Sequence, residues 1–109
     1  MFVIERTDLP MAPFPEFNGK KYGAEVSLIF VSTAQDGAGP ALHQHPYTEV
    51  FVIHAGEARF TVGTRRLVGR AGQVIVVPAL TPHRFEKTGT GRLEMTDIHS
   101  SPKFITEWL

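Results

Sequence analysis

Three features of the sequence predict an all-β fold. Short runs rich in β-branched and aromatic residues recur, Gly and Pro punctuate them about every ten residues, and nothing of useful length before residue 100 repeats at helical spacing. Such a pattern belongs to a sandwich or a barrel.

Taken in order, "FVIE" (2–5) has strand character and could add to the sheet edge of a neighbouring copy. "DLPMAPFPEFNGKKYG" (8–23) carries Pro10, Pro13 and Pro15 and is expected to be an extended, irregular connection. "EVSLIFVST" (25–33) alternates as a strand, with Val26, Leu28 and Phe30 expected to face inward. "EVFVIHA" (49–55) and "EARFTVG" (57–63) flank Gly56 and read as a tight hairpin, with Phe51, Ile53 and Phe60 inside. "GQVIVVP" (72–78) is an apolar strand closed by Pro78. "HRFEKTG" (83–89), with Phe85 inside, and "RLEMTDIH" (92–99) complete the strands. The tail "SSPKFITEWL" (100–109) could start a short helix capped by Ser101, with Phe104 and Trp108 on one face.

Composition narrows the function. A chain of 109 residues suits one domain, 1–109, and eight Phe can furnish its core. Eleven basic residues balance eleven acidic ones, so no global field favours nucleic acid or an anionic membrane. No cysteine is present, which fits a reducing cytosol. The N-terminus does not read as a signal peptide, and no apolar run approaches the roughly 20 residues of a membrane span. The expectation is a cytoplasmic protein without nucleic-acid or membrane partners.

The chemistry concentrates in "HQHPYTE" (43–49). On a strand His43 and His45 point to the same face, about 6.6 Å apart at the backbone. Glu49 shares their parity, but a straight strand would carry it roughly 13 Å beyond His45. Pro46 is expected to turn the chain, so that Glu49 opens the next strand beside the histidines. Gly37 stands six residues before His43, and Gly56 seven after Glu49.

This run, 37–56, resembles the first motif of the cupin superfamily. Gly72, Pro78 and His83 match its second motif, 72–87, where Leu80 replaces a family Gly and Lys87 a family Asn. The resemblance implies a double-stranded β-helix, or jelly-roll barrel. It also implies one divalent transition metal ion (Fe, Mn, Ni, Cu or Zn) held by His43, His45, Glu49 and His83. Leu80 should strain the turn before His83, because a Gly there commonly supplies an angle that Leu dislikes. Lys87 could bring positive charge to the pocket or reach out to the rim. His54 has the wrong parity for a ligand, and His99 is expected at a strand end in a capping or surface role. Gln44 and Tyr47 border the ligands and are expected to pack at the barrel mouth.

The resemblance implies a metal-dependent enzyme acting on a small organic substrate, the metal acting as a Lewis acid or activating O₂. Dioxygenase-like oxidation, isomerisation and decarboxylation all remain open, since fold does not decide reaction. A non-catalytic sensory module and a purely structural metal are the alternatives. A homodimer is expected, because association helps a core this small.

Overall fold

Inward-facing side chains on ten strands divide the interior into an apolar end and a polar end. The computed structural model describes residues 1–109. Its strands are β1 (Glu16–Phe17), β2 (Ser27–Thr33), β3 (His43–Gln44), β4 (Glu49–Ala55), β5 (Glu57–Val62), β6 (Arg65–Arg70), β7 (Val74–Val77), β8 (His83–Thr88), β9 (Leu93–His99) and β10 (Glu107–Trp108). They form two five-stranded antiparallel sheets, β1-β2-β9-β4-β7 and β10-β3-β8-β5-β6. The chain passes repeatedly from one sheet to the other, which is the jelly-roll arrangement. No helix is long and apolar enough to cross a membrane.

Nine residues form the core: Val31, Phe51, Ile53, Ala58, Phe60, Val77, Phe85, Leu93 and Met95. Phe51 and Phe60 meet edge to face at 5.1 Å across the two sheets. Along β4 the inward series runs Glu49, Phe51, Ile53; along β8 it runs His83, Phe85, Lys87; along β9 it runs Leu93, Met95, Asp97, His99. Register then gathers the polar members. Glu49 pairs with His99, and His43 pairs with His83.

Four expectations need correction. In β2 the inward parity is that of Ser27, Ile29 and Val31. Val26 is exposed, and Leu28 and Phe30 sit half-buried on the other face, with the Arg6 guanidinium 5.0 Å from the Phe30 ring centre. The run "LIFV" is apolar on both faces, so alternation could not fix its register. Ser27 fixes it: its hydroxyl accepts from Gly19 N–H and donates to the Ser101 carbonyl.

Gly56 does not close a hairpin. It carries the chain from β4 in one sheet to β5 in the other, at φ 77° and pressed against the backbone of Arg92 and Leu93. The tight hairpin is β5–β6, where Val62 faces Arg65. Strand β6 was obscured by its arginines, which lie exposed. The C-terminal tail forms no helix. Its Glu107 and Trp108 pair with Gln44 and His43, completing a sheet edge that a helix would leave open. Finally, the connection 8–23 is not wholly irregular, since it holds β1 and a short 3-10 turn over Gly19–Tyr22.

Leu80 adopts φ 59°, the strained angle expected of it, while its N–H donates to the His45 carbonyl at 2.7 Å. Replacing this exposed Leu by Gly relieves about 1–2 kcal/mol of backbone strain and costs about 0.5–1 in chain entropy. Leu80→Gly should therefore raise the melting temperature by about 2–4 °C. Gly56→Ala should destabilise by about 2 kcal/mol or more, because the added Cβ would lie 2.5 Å from the Arg92 carbonyl oxygen at a positive φ. Thermal melts of both variants check the pair.

Candidate metal centre

At the polar end, β3 supplies His43, the turn after it His45, β4 Glu49 and β8 His83. All four side chains are buried, and one donor atom from each lies within 4.8 Å of the others. Pro46 stands in the turn that separates His45 from Glu49, so the chain reverses as expected and Glu49 faces inward.

The orientation of the rings is set from behind. His43 Nδ1–H donates to the Ala41 carbonyl at 2.7 Å, His45 Nδ1–H to that of Ile105 at 2.8 Å, and His83 Nδ1–H to that of Thr81 at 2.8 Å. A carbonyl can only accept, so each ring keeps its proton on Nδ1 and turns an Nε2 lone pair inward. His45 Nε2 and His83 Nε2 both lie 3.0 Å from Glu49 Oε1. His45 Nε2 is buried and, despite that short distance, lies at an angle that makes no hydrogen bond. Lone pairs and a carboxylate thus converge on one point, which is repulsive unless a cation shares it. The set fits a divalent transition metal ion: borderline imidazole nitrogens, one carboxylate oxygen and partners behind each ring.

The electrostatics divide between the rings. Burial raises the pKa of Glu49, but the imidazoles of His45, His83 and His99 outweigh it and hold the carboxyl far below the usual range. Burial lowers His43, which favours the neutral ligand form. Burial pulls His45 down too, but Glu49 and the Ile105 carbonyl more than offset it and leave His45 raised.

His99 corrects its expectation. It is buried, and its Nε2 lies 3.1 Å from Glu49 Oε2, off the line of a good hydrogen bond. Tyr47 Oη accepts from Ile105 N–H at 3.2 Å, so its own proton can go to His99 Nδ1 at 2.7 Å. That places the His99 proton on Nε2, toward the carboxylate, and makes His99 a partner of Glu49 rather than a fifth donor. Tyr47 therefore does more than pack at the mouth, and burial pushes its hydroxyl up to about 12. The inward series Leu93, Met95, Asp97, His99 carried this signal, since all four share one parity.

The other candidates lie elsewhere. His54 is exposed and bonds Thr96 Oγ1 at 2.9 Å. Gln44 Nε2 donates to Glu107 Oε2, away from the cluster. Lys87 is buried, yet its Nζ donates to Asp36 Oδ1 and the Gly89 carbonyl, both at 2.8 Å. Its charge is spent there and does not reach the pocket.

Beside the cluster opens a cavity of about 470 Å³, lined by residues of both sheets, the proline-rich connection and the C-terminal tail. Asp97 lines it and was missed in the sequence. Its Oδ1 is buried without a hydrogen-bond partner. Burial, and after it the charge of Glu49, pushes its carboxyl well above the usual range.

The family model described as Cupin domain matches residues 30–99. No curated protein matches the sequence. Among solved structures, an oxalate decarboxylase of Bacillus subtilis, studied for its Mn(II) centres, superposes with a TM-score of 0.82 at 23% identity over 94% of this chain and 30% of its own. A second structure of an oxalate decarboxylase gives 0.72 at 27% identity over 82% and 25%. An oxalate oxidase gives 0.77 at 20% identity over 99% and 63%. This chain therefore spans under a third of the decarboxylase chains and less than two thirds of the oxidase.

Asp97 generates a pH prediction for the chelated protein. Its folded pKa is raised, so the stability it lends is present below the unfolded value of 3.8 and is lost as pH rises through the folded pKa. Asp97→Asn removes that loss. Its melting temperature should equal that of the unaltered protein below pH 3.8 and exceed it by about 4 °C or more at neutral pH. Melts across the pH range check it.

Proposed function

The chain belongs to the cupin domain family, and from that premise we propose that it is a metal-dependent enzyme acting on a small organic substrate. His43, His45, Glu49 and His83 hold one divalent transition metal ion. The observation that carries this reading is the convergence of inward Nε2 atoms on a buried carboxylate, each ring locked by a backbone carbonyl behind it.

His43, His45, Glu49 and His83 would hold the ion with the cavity open beside them for substrate, and the bound metal would supply Lewis acidity or access to O₂ chemistry. The protein does the rest. Tyr47 orients His99, whose Nε2 stands 3.1 Å from the second oxygen of Glu49. Asp97 is the carboxyl best suited to hold a proton inside the cavity, because burial favours its neutral form. Phe14, Phe51, Phe85, Phe104 and Trp108 give the cavity an apolar wall against which a substrate can bury surface. Among the reactions open to such a site, decarboxylation and oxidation are supported by the decarboxylase and oxidase likeness.

The chain is further proposed to act in the cytoplasm as one 109-residue domain and as a homodimer. Val74 and Val76 are exposed on edge strand β7, as is the apolar segment Met1–Val3, and a second copy would cover such surfaces. A dimeric mass by light scattering at micromolar concentration is expected; a monomeric mass contradicts it.

Metal titration tests the main reading. About one equivalent of Mn(II), Fe(II) or Co(II) should bind, and chelation should lower the melting temperature. His83→Ala should weaken binding at least 100-fold, about 2.7 kcal/mol, and His54→Ala should leave it unchanged. Absence of uptake, or equal loss from both variants, overturns the reading.

A further inference from the structure

Resting on that reading, we propose that the cavity selects an uncharged, largely apolar and preferably aromatic ligand bearing oxygen donors, and that it disfavours small dicarboxylates such as oxalate. Size is the first argument. About 470 Å³ suits an organic molecule of many heavy atoms, far more than a two-carbon dianion fills. The second is the character of the walls. Phe14, Ile29, Phe51, Phe85, Phe104 and Trp108 present aromatic and aliphatic surface that a planar ring would bury.

Charge decides the matter. No lysine or arginine lines the cavity, and the nearby buried Lys87 is turned to Asp36 and the Gly89 carbonyl. Three carboxyls do line it: Glu16, Glu49 and Asp97. A dication bound by Glu49 carries one net positive charge. A dianion on it would leave a negative centre between apolar walls with no lysine or arginine to neutralise it, where unpaired charge is costly. A ligand that enters neutral and coordinates as its monoanion, its proton passing to solvent water, leaves the centre neutral. Asp97, whose Oδ1 has no partner, supplies a hydrogen-bonding carboxyl at the wall for a hydroxyl of such a ligand.

Two probes of matched donor number separate the classes: 2-hydroxyacetophenone, neutral and aromatic, and oxalate. Calorimetric titration of Co(II)-loaded protein should show the aromatic binding at least tenfold more tightly. Thr33→Lys puts the missing cation on the cavity wall. It should strengthen oxalate binding at least tenfold without strengthening the aromatic. Oxalate binding equally well or better to the unaltered loaded protein overturns the proposal, whatever the variant does. A protein that takes up no Co(II) sinks the metal reading alone. The metal-free titration then decides the ligand class, with the aromatic still expected to bind and oxalate not to.

Discussion

Three Nδ1–H groups, each tied to a backbone carbonyl, hold the polar end of this protein in a state that needs a cation. The carbonyls of Ala41, Thr81 and Ile105 fix which nitrogen of each ring carries the proton, and so fix the direction of each lone pair. The Glu49 carboxylate lies 3.0 Å from the Nε2 atoms of His45 and His83, and the His43 donor lies within 4.8 Å of all of these. Protons could relieve the repulsion only by making imidazolium, which burial opposes at His43 while Glu49 and the Ile105 carbonyl favour it at His45. A metal ion relieves it for all the donors at once.

The fold is arranged around this requirement. Along β4 and β9 apolar inward residues give way to polar ones at the end where the sheets approach the cavity, and β8 brings His83 to that end ahead of Phe85. Pairing of β3 with β8 and of β4 with β9 then sets donors opposite one another. The C-terminal tail takes part. Ile105 gives the carbonyl behind His45, Phe104 packs edge-on against His99 at 4.9 Å, and Trp108 lies 5.2 Å from His43. A segment that adds little to the core thereby orients the site, and it also contributes cavity wall.

Much of this was legible in the sequence, and the failures have physical causes. The parity of His43, His45 and Glu49, with Pro46 between, specified a turn and an inward carboxylate, because side-chain alternation and proline's missing N–H are local rules. Leu80 in place of the family Gly put the turn before His83 in question, and that turn forms with Leu80 at φ 59°. Longer-range matters escaped. The inward face of "LIFV" depends on Ser27 meeting Gly19 and Ser101, far off in the chain. Gly56 reads as a hairpin turn until the backbone of Arg92 and Leu93 is seen against it. The tail has residues tolerable in a helix, yet an open edge at β3 captures it. His99 and Asp97 were within reach of alternation along "RLEMTDIH", but a polar pair at the end of a strand resembles solvent-facing residues until another sheet covers it.

The most direct test is anomalous diffraction at the metal edge from crystals of the protein loaded with Mn(II) or Co(II). One peak is expected, at coordination distance from Nε2 of His43, His45 and His83 and from a Glu49 oxygen, with all three Nδ1 atoms still facing their carbonyls. A peak elsewhere, ligation through any Nδ1, or rings splayed away from Glu49 with no peak would contradict the account.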